Sequence, residues 1–269
     1  MRIRYLFILL LLASCGGDDF KKVEKLGEFR ILAIVADDPE VLPPGASTDL
    51  KLFVSDVKAA GRLISGSSVS CIDPGIAFGA RVSCDHDPSA VTRPYSVDTT
   101  GMGGTLYTGL GPALNIPVPD SIFTGRSSRE QFNGVGYIVI FNFTVDGRSV
   151  SSFKRITATN RGSLNNNPFG SNILVNSGAI ASFPDKNDKL QATSSNPETF
   201  DYQTIDGDIE SRTEKMQVAW YLSEGEVDKP KSDVNEESKY LGKGTTDPSL
   251  VIAIIRDERG GVDIVTFPP

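Results

Sequence analysis

The sequence is poor in the residues from which most catalytic sites are built. Its 269 residues include one histidine, His86, three cysteines and one tryptophan. A Ser-His-Asp hydrolase would need His86 as its general base, but this residue lies in a polar turn at 84–88 and no G-x-S-x-G motif occurs. The sequence therefore predicts no catalytic residue and a protein that is not an enzyme. An enzyme that uses two carboxylates alone would leave no motif and stays an alternative.

The sequence also lacks a hydrophobic run long enough to cross a bilayer as a helix, which takes about 20 residues. The apolar run Tyr5–Ala13 has nine residues, follows Arg2 and Arg4, and is succeeded by small residues. This is the pattern of a secretory signal peptide, which we place at residues 1–14. We therefore expect the protein to be exported.

A cysteine directly follows this segment. The residues at 12–15, Leu-Ala-Ser-Cys, resemble the lipobox of bacterial lipoproteins, in which the cysteine becomes the acylated first residue of the mature chain. The resemblance implies that Cys15 is lipidated and that the membrane is a partner, because several acyl chains make a stable anchor. Gly16 replaces the aspartate that commonly retains such proteins at the inner membrane, which favours the outer membrane. An ordinary signal peptide with an incidental cysteine is the alternative.

Basic residues are outnumbered by acidic ones. The chain has 27 Lys and Arg against 34 Asp and Glu, and removal of residues 1–14 would leave 25 against 34, a net charge of −9. This charge argues against nucleic acid and anionic headgroups as partners, and it also keeps an exported protein soluble. An envelope protein or polysaccharide is the expected partner beyond the membrane.

Lipidation of Cys15 would leave two cysteines, Cys71 and Cys84. We expect them to form a disulfide in an oxidising compartment, worth about 3 kcal/mol for so short a loop. A zinc site of Cys71, Cys84 and His86 would need reduced thiols and is disfavoured. The glycine-rich run at 101–112 lacks the phosphate-binding motif G-x-x-x-x-G-K, and no cofactor is predicted.

Acidic turns are the remaining possibility for a metal, because calcium needs only clustered oxygen ligands. No turn has the glycine and glutamate spacing of an EF-hand, and acidic turns are usually solvated, so no metal site is assigned. The candidate ligands for calcium are Asp185, Asp188, Asp206 and Asp208. Asp257 has a structural use, since it can cap the turn that contains Gly260 and Gly261.

Short strand-like segments occupy most of the chain, and no convincing amphipathic helix interrupts them. Residues 48–56 alternate apolar and polar side chains, as expected for a strand with one buried face. Asp146-Gly147 separates two strand-like runs, 137–145 and 148–158, and predicts a hairpin with a type I′ turn. The flexible, mixed-charge segment 15–27 is predicted to be a tether, followed by a β-sandwich at 28–160.

The second half repeats this plan. The polar, Asn-rich residues 161–171 are predicted to be a linker, and residues 172–269 a second β-sandwich. Met216–Leu222 contains Trp220, which we expect in the core, and the runs 250–255 and 262–267 form a second closing hairpin. The fold class is therefore all-β, with two tandem immunoglobulin-like sandwiches after a lipoprotein signal peptide.

Four segments carry a family resemblance: FRILAIVADDPEVLPPG, FKRITAT leading to NNNP, VAWYLSEG and IIRDERGG. They resemble uncharacterised bacterial lipoproteins of deltaproteobacterial type, and the final strands are similar to those of immunoglobulin-like and PKD-like modules. The resemblance implies the fold and the cellular address, but it brings no site residues.

The expected function is that of a non-enzymatic, lipid-anchored protein of the cell envelope that serves in adhesion, as a scaffold or in assembly. The alternative is a carbohydrate- or ligand-binding module that uses the loops of residues 85–131. Tyr95, Tyr107 and Phe123 lie in this region, and exposed aromatic side chains on sandwich loops can grip a sugar or peptide. The simpler interpretation is that these aromatic side chains fill the end of the sandwich.

Overall fold

A computed structural model describes residues 24–75, 82–102, 106–242 and 249–267. Cys15 and the predicted signal peptide lie outside these residues. About half of the chain is β-strand, and the described residues include one short α-helix, α1 (Ser128–Asn133), and two single 3-10 turns. No described helix has the length and apolar character needed to span a membrane. The all-β class predicted from the sequence is confirmed.

Two facing sheets form the first half. Its strands are β1 (Arg30–Ala36), β2 (Glu40–Val41), β3 (Ser47–Ser55), β4 (Leu63–Ile72), β5 (Val91–Asp98), β6 (Thr108–Leu110), β7 (Leu114–Pro117), β8 (Val135–Val145) and β9 (Arg148–Ala158). One sheet has the order β2-β9-β8-β4-β5, and in the other β3 pairs with β1, β6 and β7. Leu50, Leu52 and Val54 of β3 enter a shared core with Val139 and Phe141 of β8.

The predicted hairpin at Asp146-Gly147 is confirmed. Strands β8 and β9 pair from Val135 with Ala158 to Val145 with Arg148. Asp146 and Gly147 have φ angles of 52° and 72°, which are the positive values that a type I′ turn requires. Since both residue types tolerate this conformation, the turn sets the register of the longest strand pair in the protein.

The predicted disulfide is also confirmed. Cys71, at the end of β4, is bonded to Cys84. Both cysteines are buried beside Ile138 and Ile140 of β8, on the face of the five-stranded sheet that points away from the main core. The disulfide thus holds Cys84 and the described residues next to it against this outer face.

The second half is a second pair of facing sheets with one extra hairpin. Its strands are β10 (Asn172–Val175), β11 (Gly178–Ala179), β12 (Lys189–Thr193), β13 (Thr199–Gln203), β14 (Ile209–Thr213), β15 (Met216–Leu222), β16 (Lys231–Asp233), β17 (Glu237–Lys239), β18 (Val251–Asp257) and β19 (Val262–Phe267). The sheets have the orders β11-β10-β12-β17 and β16-β15-β18-β19, while β13 and β14 pair only with each other. Trp220 is buried between the two larger sheets, as predicted.

The closing hairpin of the second half has the predicted form. Strand β18 pairs with β19 from Val251 with Phe267 to Arg256 with Val262. In the turn, Asp257 Oδ1 accepts hydrogen bonds from the backbone amides of Arg259 (2.9 Å) and Gly261 (2.7 Å). The predicted capping role of Asp257 is therefore confirmed.

The two halves share a buried apolar interface. Alternate residues of β18 point in opposite directions: Val251, Ala253 and Ile255 face the Trp220 core. Ile252 and Ile254 face Leu32, Ala33 and Phe53 of the first half in a separate cluster. The four larger sheets are therefore stacked as layers, with apolar side chains between each neighbouring pair.

The last residues of the predicted tether belong to this folded body. Leu26 is buried in the apolar interface between the halves. Its backbone amide donates to Leu222 O (2.8 Å), and the amide of Leu222 donates to Glu24 O (2.9 Å). Residues 24–26 thus continue the β15 sheet, because their backbone groups pair with Leu222, whereas the carbonyl of Gly27 accepts from the amide of Lys58 in the first half.

Candidate functional site at the junction of the two halves

The segment predicted to be a linker is anchored at the junction by a few of its side chains, although most of its residues are exposed. Asn167 joins the halves directly: its Nδ2 donates to Ala36 O of β1 (2.7 Å), and its Oδ1 accepts from the amide of Val262 at the start of β19 (2.9 Å). Arg161 and Asn165 in this segment are buried, as is Thr159 just before it. Buried polar side chains need hydrogen-bond partners, and the contacts at this junction supply them, which gives the asparagines of the segment a structural use.

Glu40 is the first centre of a buried charge cluster. It lies on β2, its side chain is 2% exposed, and it accepts from Arg161 Nη2 at 2.7 Å. Its other oxygen accepts from the backbone amide of Asn165 at 2.8 Å. The carboxylate therefore ties the edge of the five-stranded sheet to the connecting segment.

Arg259, from the β18–β19 turn, is the second centre. Its Nη2 donates to Asn165 Oδ1 (2.7 Å) and to Glu198 Oε2 (3.1 Å), and its Nε lies 3.7 Å from Glu214 Oε2. The Nδ2 amide of Asn165 donates to Asp257 (3.2 Å). Asn165 thus links Glu40 and Arg259, the two centres of the cluster, to the turn that closes the second half.

The extra hairpin covers this charge cluster with an aromatic ring. The guanidinium carbons of Arg161 and Arg259 lie 5.3 and 4.7 Å from the ring centroid of Phe200 on β13. Contacts at this distance are attractive cation–π contacts, and they are stronger where water is excluded. Phe200 therefore fixes the base of the hairpin to both halves.

The cluster keeps some polar atoms without a hydrogen bond. Among the described residues, no hydrogen-bond partner lies within reach of Arg161 Nε, Arg259 Nε or Glu214 Oε2, all of them buried. Burial raises the pKa of Glu214 above its ordinary value, because a charged carboxylate is poorly solvated there. Charge attraction at 3.7 Å, rather than a hydrogen bond, couples Glu214 to Arg259.

Lys154 of β9 reaches the same junction from the first half. Its side chain is buried, and its Nζ donates to Gly260 O. Burial lowers the pKa of Lys154 to about 8, with Asp257 opposing this shift and Arg256 adding to it. A charged lysine is therefore held at the junction at a cost in free energy at neutral pH.

We predict that Lys154→Met stabilises the protein at pH 7. The pKa of Lys154 falls from 10.5 to about 8 on folding, so the folded chain binds fewer protons than the unfolded chain between these values. The free energy of unfolding of the wild-type protein therefore rises with pH between these two pKa values. The difference in this free energy between Lys154→Met and wild type is largest below pH 8. The gain should reach at most about 3 kcal/mol and shrink towards pH 10.5.

Denaturant unfolding of both proteins at several pH values measures this difference. Lys215→Met, at an exposed position of the second half, controls for removal of a lysine from a surface. A Lys154→Met advantage that stays constant from pH 7 to 10 would contradict the prediction.

A cleft of about 440 Å³ opens from the junction to solvent between the hairpin and β9. Arg155, Arg161, Arg212 and Arg259 line it together with Tyr202. Each arginine already has an acidic partner, for example Arg155 with Asp73 at 2.6 Å and Arg212 with Glu210 at 3.0 Å. The charges are thus neutralised within the protein, and the cluster acts chiefly to hold the halves and the hairpin together.

A second cleft, of about 750 Å³, lies where loop residues of the first half meet β19. Its walls are mostly apolar and include Leu63, Met102, Leu110 and Ile264. Residues 103–105 of this loop lie outside the described residues. Most of its lining residues belong to the region 85–131 that the sequence singles out for ligand binding, and that function stays a prediction.

The predicted ligand-binding aromatics do not form an exposed platform. Tyr95 is buried on β5, its Oη donates to Pro112 O (2.7 Å), and burial raises its pKa to about 12. Phe123 is partly buried against the same core. Tyr107 packs on the chain at Gly61, where an added Cβ would meet its ring at 2.6 Å. The structure corresponds to the simpler interpretation, in which aromatic side chains fill the sandwich.

The candidate calcium ligands are divided between two turns. Asp188 accepts from Asn176 Nδ2 (2.7 Å) and from the amide of Asp185 (2.8 Å), so its carboxylate stabilises its own turn. Asp206 and Asp208 lie at the exposed tip of the β13–β14 hairpin. Within the described ranges, no three His, Cys, Asp or Glu side chains form a group suited to a metal ion.

His86 is exposed in the turn after Cys84, where its Nε2 lies 3.2 Å from Ile72 O. Asp87 beside it accepts from Ser89 Oγ (2.6 Å), and this hydrogen bond lowers the pKa of Asp87. The carboxylate is thus used to shape the turn. No described contact brings a serine or cysteine nucleophile to His86.

Comparison with models of known protein families and with curated proteins finds no match. Among solved structures, the crystal structure of red sea bream transglutaminase matches 90% of this chain with 10% identity and a TM-score of 0.28. Escherichia coli alpha-2-macroglobulin activated by porcine elastase matches 92% with 11% identity and a TM-score of 0.27. The chain spans 31% and 22% of those two chains. Similarities at this level carry no argument about function.

Proposed function

We propose that this protein is a non-enzymatic, lipid-anchored component of the bacterial cell envelope, held at the outer membrane through Cys15. In this proposal its two halves are immunoglobulin-like sandwiches that act as one rigid body in adhesion, as a scaffold or in assembly. The observation that carries the proposal is the buried junction, in which apolar and charged side chains from both halves are interlocked. A rigid body of this kind is suited to holding other components in fixed positions, and not to closing around a substrate.

The path of the chain into the body supports the same function. Residues 24–26 are paired with β15 beside the apolar interface, so the anchor segment joins the protein where the two halves meet. Eight residues lie between Cys15 and Glu24, so nine Cα–Cα steps connect these two residues. They can span at most about 30 Å, which would keep the junction close to the membrane surface. The remaining surfaces of both halves would then be free to meet envelope components.

The test of the anchor is Cys15→Ala in the exporting bacterium. Wild-type protein should incorporate a clickable fatty-acid analogue and sediment with the outer membrane, whereas Cys15→Ala should lose the label and its outer-membrane fraction. The double variant Cys71→Ala/Cys84→Ala is the matched control, because it removes the other cysteines and should keep the label. Labelled or membrane-bound Cys15→Ala protein would refute the lipid anchor.

A further inference from the structure

The β13–β14 hairpin has one edge that is held by the body of the protein. On β13, the amide of Gln203 donates to Asn133 Oδ1 and its carbonyl accepts from Asn133 Nδ2, both at 2.8 Å. The carbonyl of Asp201 accepts from Arg161 Nη1 at 2.9 Å. The backbone groups of β13 that point away from β14 are thus hydrogen-bonded to Asn133 of helix α1 and to Arg161 of the charge cluster.

The opposite edge, on β14, is not paired with any other strand of the described chain. Hydrogen bonds join Thr204 to Asp208 at the turn and Glu198 to Glu214 at the base of the hairpin. In the register between them, every second pair of facing residues is hydrogen-bonded. By the alternation of antiparallel strands, Ile209, Ser211 and Thr213 direct their backbone groups away from β13. All five β14 residues are exposed, and no described strand other than β13 pairs with them. Such an edge is a template for another strand.

The sequence of this edge is complementary to itself. Glu210 precedes Ser211 and Arg212 follows it. If two copies pair antiparallel about a twofold axis at Ser211, Glu210 of each chain lies opposite the other copy's Arg212. These positions form non-hydrogen-bonded pairs, where side chains across two strands are closest. Ile209 then lies opposite the other copy's Thr213, and about six backbone hydrogen bonds join the chains.

We propose that two copies of this protein associate through the β14 edges to form a continuous four-stranded sheet. The charge pattern also selects the register: an axis at Glu210 or at Arg212 would place like charges opposite each other, which is unfavourable. Because only five residues pair on each chain, the association is reversible in free solution. The edge exists independently of the proposed lipid anchor.

A cysteine at the axis tests the pairing in the full-length chain, in membranes of the expressing cell and after detergent extraction. Two Ser211→Cys residues would have Cα atoms about 5.5 Å apart, a separation at which disulfides form. The matched control is Asp201→Cys, because Asp201 is exposed, faces Ser211 across the hairpin and lies on the inner strand. Its copies would be about 14 Å apart, three strand spacings, which is too far for a disulfide.

Under mild oxidation, Ser211→Cys should yield a covalent dimer on a non-reducing gel at least about tenfold faster than Asp201→Cys. Charge exchange then tests the register on the Ser211→Cys background. Glu210 and Arg212 already form an ion pair within one chain at 3.0 Å, so the test uses the two single changes, each of which removes that pair. Glu210→Arg or Arg212→Glu alone should slow dimer formation, and an equal mixture of the two variants should restore it, because opposite charges then face each other only between chains. Equal crosslinking of Ser211→Cys and Asp201→Cys, or a mixture of the two single variants that crosslinks no faster than either variant alone, would overturn the proposal.

Discussion

Replacing Glu40 by glutamine is expected to lower the free energy of unfolding by about 3–5 kcal/mol, the usual effect of removing one partner from a buried ion pair. The charge of Arg161 would remain in a site where its side chain is 3% exposed. The amide of glutamine also offers one acceptor where the carboxylate serves both Arg161 and the amide of Asn165. The variant therefore has both a buried unpaired charge and a weakened hydrogen bond.

The matched control is Glu237→Gln. Glu237 forms an ion pair with Lys189 at 2.7 Å, but both side chains are about half exposed. Loss of an exposed pair costs at most about 1 kcal/mol. Urea unfolding of the three proteins, followed by tryptophan fluorescence, measures the two differences. If Glu40→Gln costs no more than Glu237→Gln, the junction is open to water in solution and the two halves are not held as described.

The strands could be predicted because their signals are local. Asp146-Gly147 specifies a tight turn by its backbone preferences, and the alternation of Leu50, Leu52 and Val54 marks the buried face of β3. The disulfide was predictable from the number of cysteines together with the expectation that the protein is exported. Each of these inferences uses residues that are close in the sequence or too few to pair in another way.

The junction could not be predicted in the same way, because its contacts join distant residues. Glu40 and Arg161 are separated by 121 positions, and Asn165 and Asp257 by 92. In the sequence, the Asn-rich segment around Asn165 has the composition of a solvated linker. Asparagine side chains that donate and accept at once also suit a buried polar network. Composition alone does not distinguish these two cases.

One local signal did point to the interface. Alternation is expected of a strand with one solvated face, whereas the run Leu250–Ile255 is apolar throughout. Phe53 similarly breaks the polar alternation of β3 on the face that carries Asp49 and Lys51. Both positions lie in the interface between the halves. A continuous apolar run within an otherwise alternating protein therefore indicated a second buried face.

The second large effect is expected at Ile252, on the interface side of β18. Ile252→Ala should lower the free energy of unfolding by about 2–5 kcal/mol, because Ile252 is fully buried and its truncation leaves a cavity between the halves. Ile255→Ala is the matched control, since it removes the same atoms from the same strand on the side of the Trp220 core. The two variants should lose similar stability.

Comparing Ile252→Ala with Ile255→Ala distinguishes two models of how the halves are joined. If the halves were joined only by a flexible connection, Ile252 would be in contact with water in solution, and its truncation would cost much less than that of Ile255. If the halves form one stacked body, both faces of β18 are core and both truncations weaken a single unfolding transition. Equal losses in urea unfolding support the stacked body, and a loss below about 1 kcal/mol for Ile252→Ala alone would contradict it.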